Sequence, residues 1–256
     1  MPLLNSRLSR ILLTATACSA LLLGCATKND PSATGSIGGS SAGIEQKAAS
    51  LRATGKAEEA VTLLRGALAK NPKSRGLLLA YGRALADAGR DEEALAALAK
   101  AQDGAGPDWR IVNTEGAVLD KLGRTMDAQQ RYQLALRLAP EEPSILSNLG
   151  LSLALSQKPA EAEAVLRRAV ANPAATPKIR QNLALVLALQ GKYDEAEQLV
   201  RKDLPPDQAA ANVRYWKQSL KATAASAPTA AVKPPAAAKP AKPAQEPAPS
   251  SLDLRG

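Results

Sequence analysis

The chain contains no histidine and no phenylalanine, and aromatic residues make up only 2% of its 256 positions. Without imidazole there is no histidine general base, no serine–histidine–aspartate triad and no histidine-ligated metal. Only two cysteines occur, Cys18 and Cys25, and the first lies in a segment expected to be removed. One remaining cysteine permits neither an intramolecular disulfide nor a cysteine metal cluster. A glycine-rich phosphate loop, a metal-ligand cluster and a nucleophile beside a base are all missing from the sequence. Glu92-Glu93 and the pair Glu161 and Glu163 read as helix-start or solvated-face acids rather than a catalytic carboxylate pair. Catalysis, a cofactor, a metal and a small-molecule substrate are therefore not expected. What is plentiful is Ala and Leu: 45% of the chain is hydrophobic, enough to bury a core and to exclude wholesale disorder.

The net charge of +9 invites a nucleic-acid reading. Part of the excess sits in the first ten residues (Arg7, Arg10) and in the C-terminal tail, and elsewhere the signs are interspersed. Nucleic acid is not expected as a partner.

Arg7 and Arg10 precede an apolar run over residues 11–23, too short to span a bilayer comfortably. A basic start, a short apolar middle and small residues after it describe a secretory signal peptide over residues 1–24. It ends Leu22-Leu23-Gly24-Cys25, which resembles a bacterial lipobox, with Leu at −3 and Gly at −1; Leu23 departs from the usual residue at −2. The competing stretch Ala15-Thr16-Ala17-Cys18 lacks a large apolar residue at −3. The alternative is an ordinary cysteine after a conventional signal peptide. The lipobox resemblance implies that the Cys25 thiol receives a diacylglyceryl group, that the chain is cut before it, and that the new amine is acylated. Each buried CH₂ contributes about 0.8 kcal/mol, so two or more acyl chains anchor stably without a transmembrane helix. Ala26 stands where enteric inner-membrane lipoproteins carry Asp, which implies the periplasmic face of the outer membrane. Residues 25–40 are nearly devoid of apolar side chains and read as a flexible tether spanning roughly 20–24 Å.

A period of 34 residues organises residues 41–221. Gly55, Gly89, Gly123 and Gly191 fall on one column, with Gln157 in the remaining slot. Ala60, Ala94, Ala128, Ala162 and Ala196 form a second; Leu64, Leu98, Tyr132, Leu166 and Val200 a third. Ala67, Ala101, Ala135 and Ala169 form a fourth that Asp203 breaks, and Gly82, Gly116 and Gly150 lie between Ala48 and Ala184 on a fifth. Val112-x₂-Glu115-Gly116-x₂-Leu119, Ala128-x₃-Tyr132 and Pro140 resemble the tetratricopeptide (TPR) signature, as do Leu146-x₂-Leu149-Gly150-x₂-Leu153 and Ala162-x₃-Leu166. The expectation is an all-α fold: a right-handed TPR α-solenoid of about five helical hairpins starting near Ser41, Arg75, Trp109, Pro143 and Pro177, stacked because no hairpin buries its apolar side alone. The small columns let paired helices approach closely, and the 55/89/123/191 glycines stop the first helix of each hairpin. Val213, Trp216 and Leu220 recur at helical spacing within 207–221, a capping helix with Trp216 in its core-facing stripe. From residue 222 to 256 the chain is rich in Pro, Ala and Lys and reads as a disordered, solvated tail.

The TPR resemblance implies a concave wall lined by the first helix of each hairpin, at repeat positions 2, 5, 6, 9, 12 and 13. In the third unit these include Arg110, Asn113, Asp120 and Lys121; in the fourth Ser147, Asn148, Leu151 and Leu155; in the fifth Lys178, Gln181, Asn182, Leu185 and Leu189. Leu151/Leu155 and Leu185/Leu189 are i, i+4 pairs one unit apart. Either these four leucines form an apolar strip, edged by Asn148 and Asn182, that receives a partner helix or extended peptide, or they pack between units and under the capping helix.

Lipobox, five repeats and Pro/Ala tail together resemble the TadD-like tetratricopeptide lipoproteins of tight-adherence (Tad/Flp) pilus systems. Gln181-Asn182-Leu183-Ala184-Leu185-Val186-Leu187 and Asp203-Leu204-Pro205-Pro206-Asp207-Gln208-Ala209-Ala210-Ala211-Asn212 carry that resemblance most specifically. It implies a non-catalytic, pilotin-like role in assembly or outer-membrane targeting of the pilus secretin. The alternative is a general envelope scaffold in outer-membrane protein assembly or peptidoglycan remodelling.

Overall fold

The computed structural model describes residues 40–103 and 106–225. The expected signal peptide, the lipidation site Cys25, the tether up to residue 39 and the tail beyond residue 225 lie outside the described residues.

Among the described residues the chain is helical throughout: α1 (Ser41–Ala53), α2 (Ala57–Lys70), α3 (Arg75–Asp87), α4 (Asp91–Gln102), α5 (Trp109–Lys121), α6 (Thr125–Leu138), α7 (Pro143–Leu155), α8 (Pro159–Ala171), α9 (Pro177–Leu189), α10 (Tyr193–Val200) and α11 (Pro206–Ala225). The odd-numbered first helices begin at the five positions that the period predicts. Capping explains the starts. The side chains of Ser40, Ser74, Asp108 and Glu142 accept from backbone N–H groups in the first turns of α1, α3, α5 and α7. The second helices α2, α4, α6, α8 and α10 have no such cap but carry acids in their first turns, which oppose the positive end of the dipole.

The turn inside each hairpin repeats in detail. Lys56, Arg90, Arg124, Lys158 and Lys192 each donate a backbone N–H to the carbonyl five residues back, the closing bond of a left-handed helix stop. The residue before each donor has a positive φ: 76–78° at Gly55, Gly89, Gly123 and Gly191, and 61° at Gln157. Gln157 makes the same turn with a side chain, at a conformational cost of about 1–2 kcal/mol.

Within each hairpin the helices meet at a notch. A Cβ on Gly82 would lie 2.8 Å from Leu98 Cδ2, on Gly116 2.5 Å from Tyr132 Cε1, and on Gly150 2.5 Å from Leu166 Cγ. The facing column Ala60, Ala94, Ala128, Ala162 and Ala196 is fully buried. Asp203, which breaks the fourth column, has its own partner: Arg180 donates to both of its oxygens, Nε to Oδ2 at 2.6 Å and Nη2 to Oδ1 at 2.5 Å.

Successive first helices touch one another (α1 with α3, α3 with α5, α5 with α7, α7 with α9), whereas successive second helices make no comparable contact. The first helices therefore form the tighter, concave layer of the solenoid. Helix α11 packs on both α9 and α10 and buries Ala209, Val213 and Trp216 in the main apolar cluster. It continues past Lys221 to Ala225, because the Ala-rich stretch that opens the tail is still a good helix former. No described helix is long and apolar enough to cross a membrane.

Candidate functional site

The concave wall changes character from one end to the other. Leu151 and Leu155 are partly buried on it, one turn apart on α7. The expected four-leucine strip does not continue on α9. Leu185 is only 3% exposed and belongs to the same apolar cluster as Val213 and Trp216 of α11; Leu189 is half-buried against that cluster. The reason is positional: α11 packs on α9 where a sixth first helix would stand, so the fifth unit's share of the wall is built over.

The polar residues expected along the groove are mostly engaged with each other. Asn148 Nδ2 donates to Asn113 Oδ1 at 3.0 Å, and one unit later Asn182 Nδ2 donates to Ser147 Oγ at 2.9 Å. Asn113, Ser147 and Asn182 are 4–8% exposed. These two bonds are a ladder that ties α5 to α7 and α7 to α9, and neutral pairs buried in this way each contribute about 1 kcal/mol. Lys121 donates to the Ala86 carbonyl and, at 2.7 Å, to Asp91 Oδ1, closing the seam between the second and third units. Of the ten groove residues expected from the repeat positions, Leu151, Leu155 and Gln181 are partly buried on the wall, clear of these ties and of the core cluster; Asn148 is partly buried but tied to Asn113, and Leu189 stands at the wall's edge.

Beneath the wall, at the seam of the third and fourth units, Asp120 accepts from Tyr132 Oη at 3.0 Å and Ser152 Oγ at 2.9 Å. Burial pushes its carboxyl up to about 6 even though both hydrogen bonds favour the ionised form. At the next seam Glu163 accepts from Arg167, Gln190 (2.7 Å) and Lys192 (2.6 Å). Burial opposes its ionisation, but the combined hydrogen bonds from Lys192, Arg167 and Gln190 outweigh it and hold the carboxyl at about 2.

The groove positions taken from the third unit onward leave out Arg83, at position 9 of the second unit. Its Nε donates to Thr114 Oγ1 at 3.3 Å, and it forms no ion pair among the described residues. The same repeat arithmetic, continued back to α3, finds it. On the outer side a cleft of about 630 Å³ between α4 and α6 has Leu95, Leu119 and Leu134 in its walls, with Glu115 and Arg131 also lining it. Glu115 Oε1 accepts from Gln102 Nε2 at 2.7 Å, whereas its buried Oε2 has no hydrogen-bond partner among the described residues and only Arg131 at 3.6 Å, and burial pushes the carboxyl up. Among the described residues no group of histidine, cysteine, aspartate or glutamate could hold a metal ion.

Comparison with known proteins agrees with this geometry. The tetratricopeptide repeat family pattern matches residues 51–110 in one form and residues 113–178 and 157–211 in another. No curated protein matches the chain. Among solved structures, a thermophilic TPR protein of Thermus thermophilus superposes with a TM-score of 0.61 at 24% identity, over 70% of this chain and 97% of that one. The pilF protein of Pseudomonas aeruginosa gives 0.54 at 21% identity, over 70% and 86%. A chain of the Cut9–Hcn1 assembly of APC/C gives 0.58 at 16%, over 72% of this chain and 36% of that one. At these identities the likeness is one of fold. With five hairpins in register, the shared notch and the match across residues 51–211, the chain belongs to the tetratricopeptide repeat family.

Proposed function

We propose that the protein is a lipoprotein, anchored through acyl groups on Cys25 to the periplasmic face of the outer membrane, that holds a partner polypeptide in its concave groove. The partner proposed is the secretin of a Tad/Flp pilus, held by the groove and delivered to the membrane by the anchor. The observation that carries this reading is the pairing, in one chain, of the Leu22-Leu23-Gly24-Cys25 motif with a solenoid whose wall retains Leu151 and Leu155. The runs 181–187 and 203–212 add the resemblance to the pilus lipoproteins.

The test is a deletion strain complemented with either the natural gene or a Cys25→Ser variant. The expected result is loss of secretin multimers from the outer membrane and of pili on deletion, restoration by the natural gene, and a soluble periplasmic product from Cys25→Ser that fails to restore them. Normal secretin rings in the deletion strain refute the pilotin reading. The second reading, a general envelope scaffold, is favoured instead if deletion alters other outer-membrane proteins or peptidoglycan while the rings stay intact.

A further inference from the structure

Arg83 stands at the middle of α3 on the concave layer and is only half used. Its Nε–H goes to Thr114 Oγ1, whose own hydroxyl donates to the Arg110 carbonyl at 2.7 Å, so the guanidinium is held by a fixed acceptor. Its Nη1 and Nη2 find no acceptor among the described residues. Guanidinium groups present a planar fork of donors that matches a carboxylate. Two carboxylates stand nearby, and both are committed elsewhere. Asp87 Oδ2 receives Arg52 Nε at 2.6 Å. Asp108 caps α5, accepting from the Arg110 N–H at 2.8 Å, and faces Arg110 Nη1 at 3.8 Å. Three guanidiniums, Arg52, Arg83 and Arg110, therefore gather around two acids, and the surplus cation lies half-buried on the wall.

Further along the same wall the chemistry turns apolar, with Leu151 and Leu155 on α7. Two first-helix steps separate α3 from α7. At about 10 Å per step the cation and the leucines lie roughly 20 Å apart, which an extended peptide covers in about six residues at ~3.3 Å each.

We propose that the groove recognises a peptide segment carrying an acidic side chain that docks on Arg83, with apolar side chains about six residues away docking on Leu151 and Leu155. Charge complementarity selects this occupant: the wall offers an unbalanced cation at one end and unpaired apolar area at the other. The inference rests on the groove-binding reading above and adds composition and orientation to it, with the acid over the second unit and the apolar residues over the fourth.

The test pans a displayed library of random dodecapeptides against the full chain in lipid nanodiscs, in its natural form and as Arg83→Ala, Arg83→Gln and Leu151→Asp, each checked for unchanged helical circular dichroism. The natural chain is expected to enrich peptides with an Asp or Glu about six residues from an apolar pair. Both Arg83 variants are expected to lose the acidic preference and keep the apolar one, and Leu151→Asp to lose enrichment. For an enriched peptide measured by fluorescence anisotropy, Glu→Gln is expected to weaken binding about tenfold to the natural chain and less than twofold to Arg83→Ala. Apolar enrichment without an acidic preference, or a Glu→Gln effect that persists in Arg83→Ala, overturns the inference and leaves the groove reading standing. No enrichment by the natural chain overturns both.

Discussion

Gly116 faces the ring of Tyr132 so closely that a methyl group on it would lie 2.5 Å from Cε1 and 2.9 Å from Cδ1. The ring cannot swing away, because it is 1% exposed and its hydroxyl is bonded to Asp120. Gly116→Ala is therefore expected to destabilise the protein by about 1–2 kcal/mol, the overpacking cost net of alanine's better helix propensity. Gly150→Ala, against Leu166 Cγ at 2.5 Å, is expected to act alike. Urea denaturation compares them; unchanged or raised midpoints would show that the hairpins open freely at the notch.

Asp120 makes stability depend on pH. Its folded carboxyl titrates near 6 against an ordinary 3.8, so the folded chain binds this proton more tightly than the unfolded one. The contribution of this group is greatest below about pH 4, declines as pH rises to about 6, and is constant above that. Asp120→Asn keeps an acceptor and removes the ionisation. Relative to the natural chain it is expected to gain about 2 kcal/mol between pH 4 and pH 7. Thermal melts at the two pH values measure the difference; a pH-independent offset would contradict the assignment.

Glu163 acts in the opposite sense. Its carboxyl is held at about 2 rather than 4.5, so its ties to Arg167, Gln190 and Lys192 stabilise the fold fully above pH 4.5 and are lost as pH falls through 2. Glu163→Gln is expected to cost about 1–2 kcal/mol at pH 7, in line with hydrogen bonds to charged groups. That deficit should shrink in urea titrations repeated at pH 3. A neutral substitution at pH 7 would show that the seam between the fourth and fifth units holds without it.

Leu151 and Leu185 occupy the same repeat position and should respond differently to the same change. Leu185→Asp places a charge in the cluster of Val213 and Trp216 and is expected to cost more than about 3 kcal/mol or prevent folding. Leu151→Asp sits on the open wall and is expected to leave helical circular dichroism and the melting temperature nearly unchanged while abolishing peptide capture. Equal loss of fold in both variants would place Leu151 in the core as well.

The five hairpins were legible because their signals are local or reach only one helix away. The left-handed stops at 55, 89, 123, 157 and 191, the acids opening the second helices and the small-residue notches all recur at a spacing of 34. Gln157 was placed correctly by register alone, although its side chain resists the conformation. The groove was less legible, since a repeat position says which way a side chain points and not what lies over it.

The sequence by itself therefore determined the all-helical architecture, the hairpin boundaries and the burial of Trp216, because helix stops and close helix contact depend on residue type and spacing. The tertiary structure decided that Leu185 is core while Leu151 is wall, that Asn113, Ser147 and Asn182 are tied across neighbouring units, and that Arg83 keeps donors with no acceptor among the described residues. Those outcomes depend on which element packs over a position, and on whether a neighbouring unit presents a matching partner, and neither is encoded within one repeat.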